Sequence, residues 1–83
     1  MATVHRFKGF SVRIYTNDHR PAHVHVIGSD GEAIFNLHCP GGPPELREFY
    51  GSLSRKELQV IADETQRVLS ALYANWGIVH GHD

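Results

Sequence analysis

Residues 17–26 concentrate the side chains that could carry out chemistry. This stretch reads NDHRPAHVHV and holds three of the seven histidines of the chain. Its candidate functional residues are Asp18, His19, Arg20, His23 and His25. Imidazoles change protonation near neutral pH and are common ligands of transition metals, and a carboxylate can assist them in either role. The stretch is therefore where we expect a functional site.

A histidine-x-histidine pair on a strand places two imidazoles on one side of a sheet, because side chains alternate between faces. His23 and His25 form such a pair, with Cβ atoms about 6.5–7 Å apart if the strand is extended. His19 or Asp18 from the preceding loop, or His38 from the following strand, would supply a third ligand. Neutral imidazole with a carboxylate suits Zn, Ni, Cu or Fe, so this hypothesis predicts one divalent transition metal as cofactor.

Metal-free acid/base catalysis on RNA is a second hypothesis for the same residues. One of His23 and His25 would accept the proton of a ribose 2′-hydroxyl while the other protonates the leaving oxygen. Arg13 or Arg20 would bind the phosphate, and Tyr15 would stack on a base. The chain would then be an RNA-cleaving enzyme.

A third hypothesis is a non-catalytic module that docks a protein partner on the face that carries the histidines. The candidate contact residues for a substrate or partner are Arg13, Tyr15, Arg20 and Asn36. Three further histidines, at positions 5, 80 and 82, lie near the chain ends and require no common role with this face. The residue pattern leaves the three hypotheses open, and with them the question of whether the chain is an enzyme.

Short strands must position these residues. Apolar alternation predicts strands over residues 3–7, 9–16, about 22–28 and 32–38, and a short one at 46–50. Lys8-Gly9 is typical of a tight turn, and Asp30-Gly31 is a strong hairpin signal. The intervening run CPGGPPE, residues 39–45, predicts a loop because it holds three of the four prolines.

The turn between the third and fourth strands sets which residues face each other. With Asp30-Gly31 at the turn, His25 lies opposite Asn36 and His23 opposite His38; with Ser29-Asp30 at the turn, every pair shifts by two residues. The faces are the same in both registers. One face carries Val24, Val26, Ala33, Phe35 and Leu37. The other carries His23, His25, Ile34, Asn36 and His38.

Residues 54–76 have the clearest helix pattern. Ser54 is a typical N-cap, and Glu57 three residues later completes a capping box. The apolar stripe is Leu58, Ile61, Thr65, Val68, Leu69, Leu72 and Trp76. Gly77 predicts the helix end and residues 77–83 a frayed tail. One helix covers one sheet face, so we expect it on the valine-rich face, with Trp76 as a core anchor and the histidines pointing away.

These elements predict an α+β fold, a small and mostly antiparallel sheet of three to five strands packed on one long C-terminal helix. We expect a single domain over residues 1–83, whose small core a partner, a second copy in a homodimer, or a metal would complete. The net charge of -1 gives no general attraction to nucleic acid or acidic lipid. No apolar run reaches the roughly 20 residues of a membrane span, and the single cysteine, Cys39, fits a reducing cytoplasm.

Residues 15–26, with Gly9 before them and Asn75-Trp76 near the end, resemble the small bacterial family catalogued as domain of unknown function 4160. The most specific part is an Asp-His-x-Pro-x-His-x-His core, and the resemblance covers about residues 7–76. It points to Asp18, His19, His23 and His25. Genes of this family often sit beside a second small gene in a suggested toxin-antitoxin arrangement. The resemblance thus implies a cytoplasmic toxin-antitoxin component with a small protein partner encoded nearby, and our leading hypothesis is that it acts through the histidine face.

Overall fold

The computed structural model of the protein describes residues 2–38 and 41–80. These residues form five strands followed by two helices, which confirms the α+β prediction. The strands are β1 (Ala2–Phe7), β2 (Phe10–Ile14), β3 (His23–Gly28), β4 (Gly31–Asn36) and β5 (Glu45–Gly51). The helices are α1 (Arg55–Arg67) and α2 (Leu69–His80). Each strand pairs antiparallel with the next in the chain, so the sheet order is β1-β2-β3-β4-β5.

The turn between β3 and β4 decides the register around the histidines. Ser29 and Asp30 form the turn, which sets His23 opposite Asn36 and His25 opposite Ile34. The alternative register is therefore correct, and the one that paired His23 with His38 is wrong. Gly31 lies outside the turn, in β4. A Cβ at this position would collide with the carbonyl oxygen of Tyr50 on β5. The glycine allows the close approach of β5, so it is a strand residue here.

The apolar face of the sheet is the one predicted. All five of its members are buried: Val24, Val26, Ala33, Phe35 and Leu37. They form one core with side chains of the two helices, chiefly Ile61, Leu69, Leu72 and Trp76. A fully buried valine, leucine, isoleucine or phenylalanine side chain contributes about 1.5–3 kcal/mol to the free energy of unfolding. The helices thus cover the valine-rich face, as expected from the single amphipathic stripe.

The predicted capping box starts α1. The Ser54 hydroxyl accepts the backbone N–H of Glu57 at 3.1 Å, and the Glu57 carboxylate accepts the backbone N–H of Ser54 at 2.9 Å. This reciprocal pair satisfies two of the N–H groups that a helix start leaves unbonded. The capping-box prediction is confirmed. It could be made from the local sequence because all the atoms involved belong to residues 54–57.

The prediction of one long helix is wrong, because the helical conformation is interrupted at Val68. This residue has φ -107° and ψ 19°, outside the helical region, and it separates α1 from α2. One turn earlier, the Thr65 hydroxyl donates to the carbonyl oxygen of Ile61 at 2.7 Å. Such back-bonding, together with a β-branched residue at the break, disfavours a straight helix. The apolar stripe runs on through the break, so sequence periodicity could not detect it.

The second helix extends beyond its predicted end at Gly77 and continues to His80. Val79 packs partly buried against the core, and the ring N–H of His80 donates to the carbonyl oxygen of Trp76. The predicted frayed tail is therefore helical over residues 77–80. Residues 81–83, together with Cys39 and Pro40, lie outside the described residues. Within the described parts of the chain, neither helix combines the length and hydropathy of a membrane span.

Candidate metal centre

The side chains of Asp18, His23 and His25 converge. One potential ligand atom from each lies within 4.8 Å of the other two. Asp18 Oδ2 is 3.1 Å from His25 Nε2 and 3.4 Å from His23 Nε2. A metal with bonds of about 2.0–2.1 Å separates neighbouring ligand atoms by about 2.8–3.4 Å, between right-angled and tetrahedral geometry. The two distances from Asp18 Oδ2 fall within this range.

A turn and a strand bring these residues together. The backbone N–H of Asp18 donates to the carbonyl oxygen of Tyr15 at 3.1 Å, and the Asp18 carboxylate accepts the backbone N–H of Tyr15 at 3.3 Å. Aspartate favours such turns because its side chain bonds to nearby backbone groups. His23 and His25 are the first and third residues of β3, so they share a face. The turn thus directs the carboxylate toward the strand that carries both rings.

The Nδ1 atom of each ring has an acceptor partner. His23 Nδ1 lies 2.8 Å from the carbonyl oxygen of Pro21, and His25 Nδ1 lies 2.9 Å from the carboxylate of Glu32. Pro21 O only accepts, so the neutral His23 ring carries its hydrogen on Nδ1 and has its lone pair on Nε2, facing Asp18 Oδ2. His25 lies between the carboxylates of Glu32 and Asp18, so whichever nitrogen carries the hydrogen of the neutral ring, the other faces an acceptor. A cation between these atoms, or an additional proton on the group, removes this mismatch.

Glu32 is a candidate site residue that the sequence interpretation missed. A ligating histidine commonly donates its second ring N–H to a carboxylate or a backbone carbonyl, and Glu32 and Pro21 supply one of each. With His25 opposite Asn36, Glu32 would have been too far along β4 to bond. With His25 opposite Ile34, it occupies the diagonal position on the same face. The register with Ser29-Asp30 at the turn would therefore have predicted the contact between Glu32 and His25.

The centre is largely shielded from solvent. The side chains of His23, His25 and Asp18 are 6%, 13% and 14% exposed. The ring centroids of His23 and of Trp76 on α2 are 5.3 Å apart, and the rings of His25 and Tyr15 pack in a T-shaped arrangement with centroids 4.6 Å apart. The expectation that His23 points away from the helices is therefore wrong. His23 is the first residue of β3, and a large helix side chain reaches its ring at that end of the sheet.

Two further predicted ligands lie outside the converging group. His19 is exposed and lines a pocket beside Asp18. His38 is also exposed, with 52% of its side chain accessible, and its Nε2 lies 3.0 Å from Glu45 Oε1. Hydrogen bonding from His38, with a smaller contribution from Asn36, lowers the pKa of the Glu45 carboxyl. His38 is thus paired in solvent and is separate from His23.

The predicted substrate or partner contacts border the centre. Arg13 lies opposite His25 across β2 and β3, and Asn36 lies opposite His23 across β3 and β4. Directly opposite residues of an antiparallel pair share a face. Tyr15 contacts His25, while Arg20 is exposed and lines the pocket with Asp18. The structure therefore places Arg13, Tyr15 and Asn36 beside the two β3 histidines and Arg20 beside Asp18.

A family model described as a domain of unknown function (DUF4160) matches residues 9–77. That range contains Asp18, His23, His25 and Glu32, and also the Trp76 ring that packs against the centre. No curated protein and no solved structure matches the chain significantly.

Proposed function

Since the chain belongs to the DUF4160 family, whose name assigns no activity, we propose that it binds one divalent transition metal through Asp18, His23 and His25. One observation carries the proposal: both Nε2 atoms lie within 3.4 Å of one carboxylate oxygen, while each Nδ1 has an acceptor of its own. With the ring hydrogens on Nδ1, the two Nε2 lone pairs and the carboxylate oxygen together attract a cation. A hydrogen-bonded cluster without a cation would alternate donors and acceptors.

Charge balance also favours a metal. The carboxylates of Asp18 and Glu32 carry two negative charges, which a divalent ion balances while both imidazoles stay neutral. Two imidazolium rings would balance them as well. That alternative places a charge on His23, which is 5% exposed and packs against Trp76. A divalent ion balances the carboxylates without adding a charge to the His23 ring.

The donor set indicates an open centre. Two imidazole nitrogens and one carboxylate oxygen suit Zn, Fe, Ni or Cu, and the same set occurs in catalytic zinc sites and in non-haem iron sites. Structural zinc sites usually have four protein ligands, whereas three leave a position for water or substrate. A metal bound here would supply Lewis-acid polarisation of a ligand or activation of a water. We therefore propose a reactive or ligand-binding centre.

Metal titration of the untagged full-length protein tests the proposal. After treatment with a chelator, Zn(II) and Co(II) would be titrated by calorimetry, and Co(II) also by its absorption spectrum. We expect one equivalent to bind to the wild type and binding to be lost in the His23→Ala, His25→Ala double variant. The matched control is His19→Ala, His38→Ala, which removes two exposed histidines from outside the group.

The outcome can go against the proposal in two ways. Equal binding by both double variants would place any bound metal elsewhere in the chain, and no binding by the wild type would exclude the centre. Circular dichroism of each variant shows whether lost binding reflects lost folding. Because His23 is buried, Asp18→Asn provides a second test that leaves both rings in place.

For the cellular role, we propose a toxin-antitoxin component that depends on this centre, on the strength of the family resemblance described above. Induced expression should arrest growth if the chain is the toxin, and Asp18→Asn should relieve the arrest while the exposed-histidine control does not. If the chain is the antitoxin, the same variant should fail to protect against the product of the neighbouring gene. Identical growth of wild type and Asp18→Asn in both assays would contradict this role.

RNA cleavage and partner docking stay predictions. For cleavage by His23 and His25, each ring would need a nitrogen directed at the substrate, but both Nε2 atoms lie within 3.4 Å of Asp18 Oδ2. This arrangement supports metal binding more directly than proton transfer. Docking through the open face would be disrupted by Arg13→Glu, and co-purification with the partner is the measurement.

A further inference from the structure

A pocket adjoins the proposed metal centre. It has a volume of about 250 Å³ and is lined by Asp18, His19, Arg20, Trp76 and His80. Asp18 belongs both to this wall and to the converging ligand group. A molecule in the pocket would therefore lie beside Asp18, one of the proposed ligands. The volume is below the roughly 300–1,000 Å³ of pockets for drug-sized ligands, so the pocket suits a smaller molecule.

Two side chains of the wall hold buried polar atoms without a partner in the described parts of the chain, Trp76 Nε1 and His80 Nε2. The rings stack with centroids 3.9 Å apart, and His80 Nδ1 donates to the carbonyl oxygen of Trp76 at 3.1 Å. The neutral His80 ring therefore has its lone pair on Nε2. Trp76 is 2% exposed, and an unpaired N–H at that depth is unfavourable unless a ligand or water binds it.

Arg20 adds a positive charge to the same wall. Among residues 2–38 and 41–80, its guanidinium forms no ion pair. Guanidinium groups bind carboxylates and phosphates in a two-point geometry, which makes them common in sites for small anions. The wall therefore combines an exposed cation with two side chains, Trp76 and His80, that each hold one polar atom without a partner among the described residues.

We propose that this pocket binds a small molecule through an oxyanion, a carboxylate or a phosphate, held by Arg20 and the Trp76 indole N–H. The proposal rests on the proposed metal in one respect. Asp18 on the wall repels an anion, and a divalent ion bound to Asp18 reverses that effect. Anion binding should therefore be stronger in the metal-loaded protein. His80 Nε2 would accept a hydrogen bond from a hydroxyl of the same molecule.

Fluorescence of Trp76 provides the test, because it is the single tryptophan of the chain. Lactate and inorganic phosphate are titrated separately into zinc-loaded and metal-free full-length protein. We expect a saturable change in the zinc-loaded form, weakened about tenfold or more by Arg20→Ala, since hydrogen bonds to charged groups are the strong ones. Arg47→Ala on β5 is the matched control and should keep the wild-type affinity.

The possible outcomes separate this proposal from the metal proposal. A response to lactate alone or to phosphate alone supports the pocket and identifies the oxyanion, and a response to both supports the shared chemistry. No saturable response from protein with a full zinc content overturns the pocket and leaves the metal centre standing. Equal affinity of Arg20→Ala and wild type also overturns it. If zinc does not bind, an Arg20-dependent response of the metal-free protein supports the pocket, and no response overturns it.

Discussion

Two histidine-carboxylate pairs of this protein are alike in sequence and unlike in structure. His25 and Asp18 are seven residues apart and 3.1 Å from nitrogen to oxygen; His38 and Glu45 are seven residues apart and 3.0 Å. The side chains of the first pair are 13% and 14% exposed, whereas those of the second are 52% and 64% exposed. The first pair also has a second carboxylate and a second histidine beside it. Burial and additional acceptors thus distinguish a candidate site from a surface contact.

The comparison shows that spacing does not identify a metal centre. An exposed pair in water contributes little, because solvent screens the charges and the side chains lose freedom when they pair. Acceptors that are shielded from water lack this screening, so a cation or additional protons must balance their charge. This difference predicts that substitutions near His25 alter metal binding and stability, whereas substitutions near His38 alter neither.

The largest effect should come from the ring that shields the centre. Trp76→Ala removes a side chain that is 2% exposed and contacts His23, so we expect a loss of about 3–5 kcal/mol in the free energy of unfolding. Urea denaturation measures it. Tyr73→Ala on the same helix removes a ring that is 43% exposed and should cost much less. Equal losses would show that Trp76 is no core anchor, and Trp76→Phe offers a milder variant if alanine prevents folding.

The next effect concerns the partner of His25. Glu32→Gln keeps the shape and an acceptor oxygen but removes the charge that orients and polarises the ring. Changes to such supporting residues weaken metal binding about 10- to 100-fold, and calorimetric titration with Zn(II) measures the shift. Glu48→Gln on the neighbouring strand is the matched control. An unchanged affinity for Zn(II) in Glu32→Gln would show that the Glu32 carboxylate does not contribute to metal binding by His25.

A third pair, His5 with Glu64, tests the electrostatic side of the comparison. Hydrogen bonds from Arg67 and from His5 lower the pKa of Glu64 from 4.5 to about 2. Because the folded pKa is depressed, this carboxylate stabilises the fold above about pH 4.5, and the contribution is lost as the pH falls toward 2. Glu64→Gln should therefore flatten the fall in melting temperature between about pH 5 and about pH 2. Asp63→Asn should keep the wild-type slope, and equal slopes in all three proteins would contradict the assignment.

The smallest effect is expected at the exposed pair. His38→Ala should leave both the melting temperature and the zinc affinity unchanged within experimental error, because the side chains it separates are mostly in water. Thermal melts and calorimetry on the same sample measure both quantities. A clear loss of zinc affinity would indicate that His38 is a ligand. The chain around the turn at Ser29-Asp30 would then have to rearrange.

Features that depend on neighbouring residues could be predicted from the sequence. The capping box at Ser54 and the turn at Lys8-Gly9 were both correct, and both residues of that turn have positive φ, as a type I′ turn requires. The interruption at Val68 could not be predicted, because buried residues continue through it with helical spacing. The register of β3 and β4 could not be chosen either, because a shift by two residues leaves every side chain on the same face.

The alternation of side chains along a strand was enough to place His23 and His25 together, and the loop before β3 kept Asp18 near them. Glu32, Trp76 and His80 joined them only through folding. The close approach of β5 at Gly31 accompanies the register that brings Glu32 to His25. Packing of α2 on the core carries the indole to His23. Some of these contacts join residues that are distant in sequence, and others depend on which of two equivalent strand registers forms. They therefore follow from the packing of the whole chain.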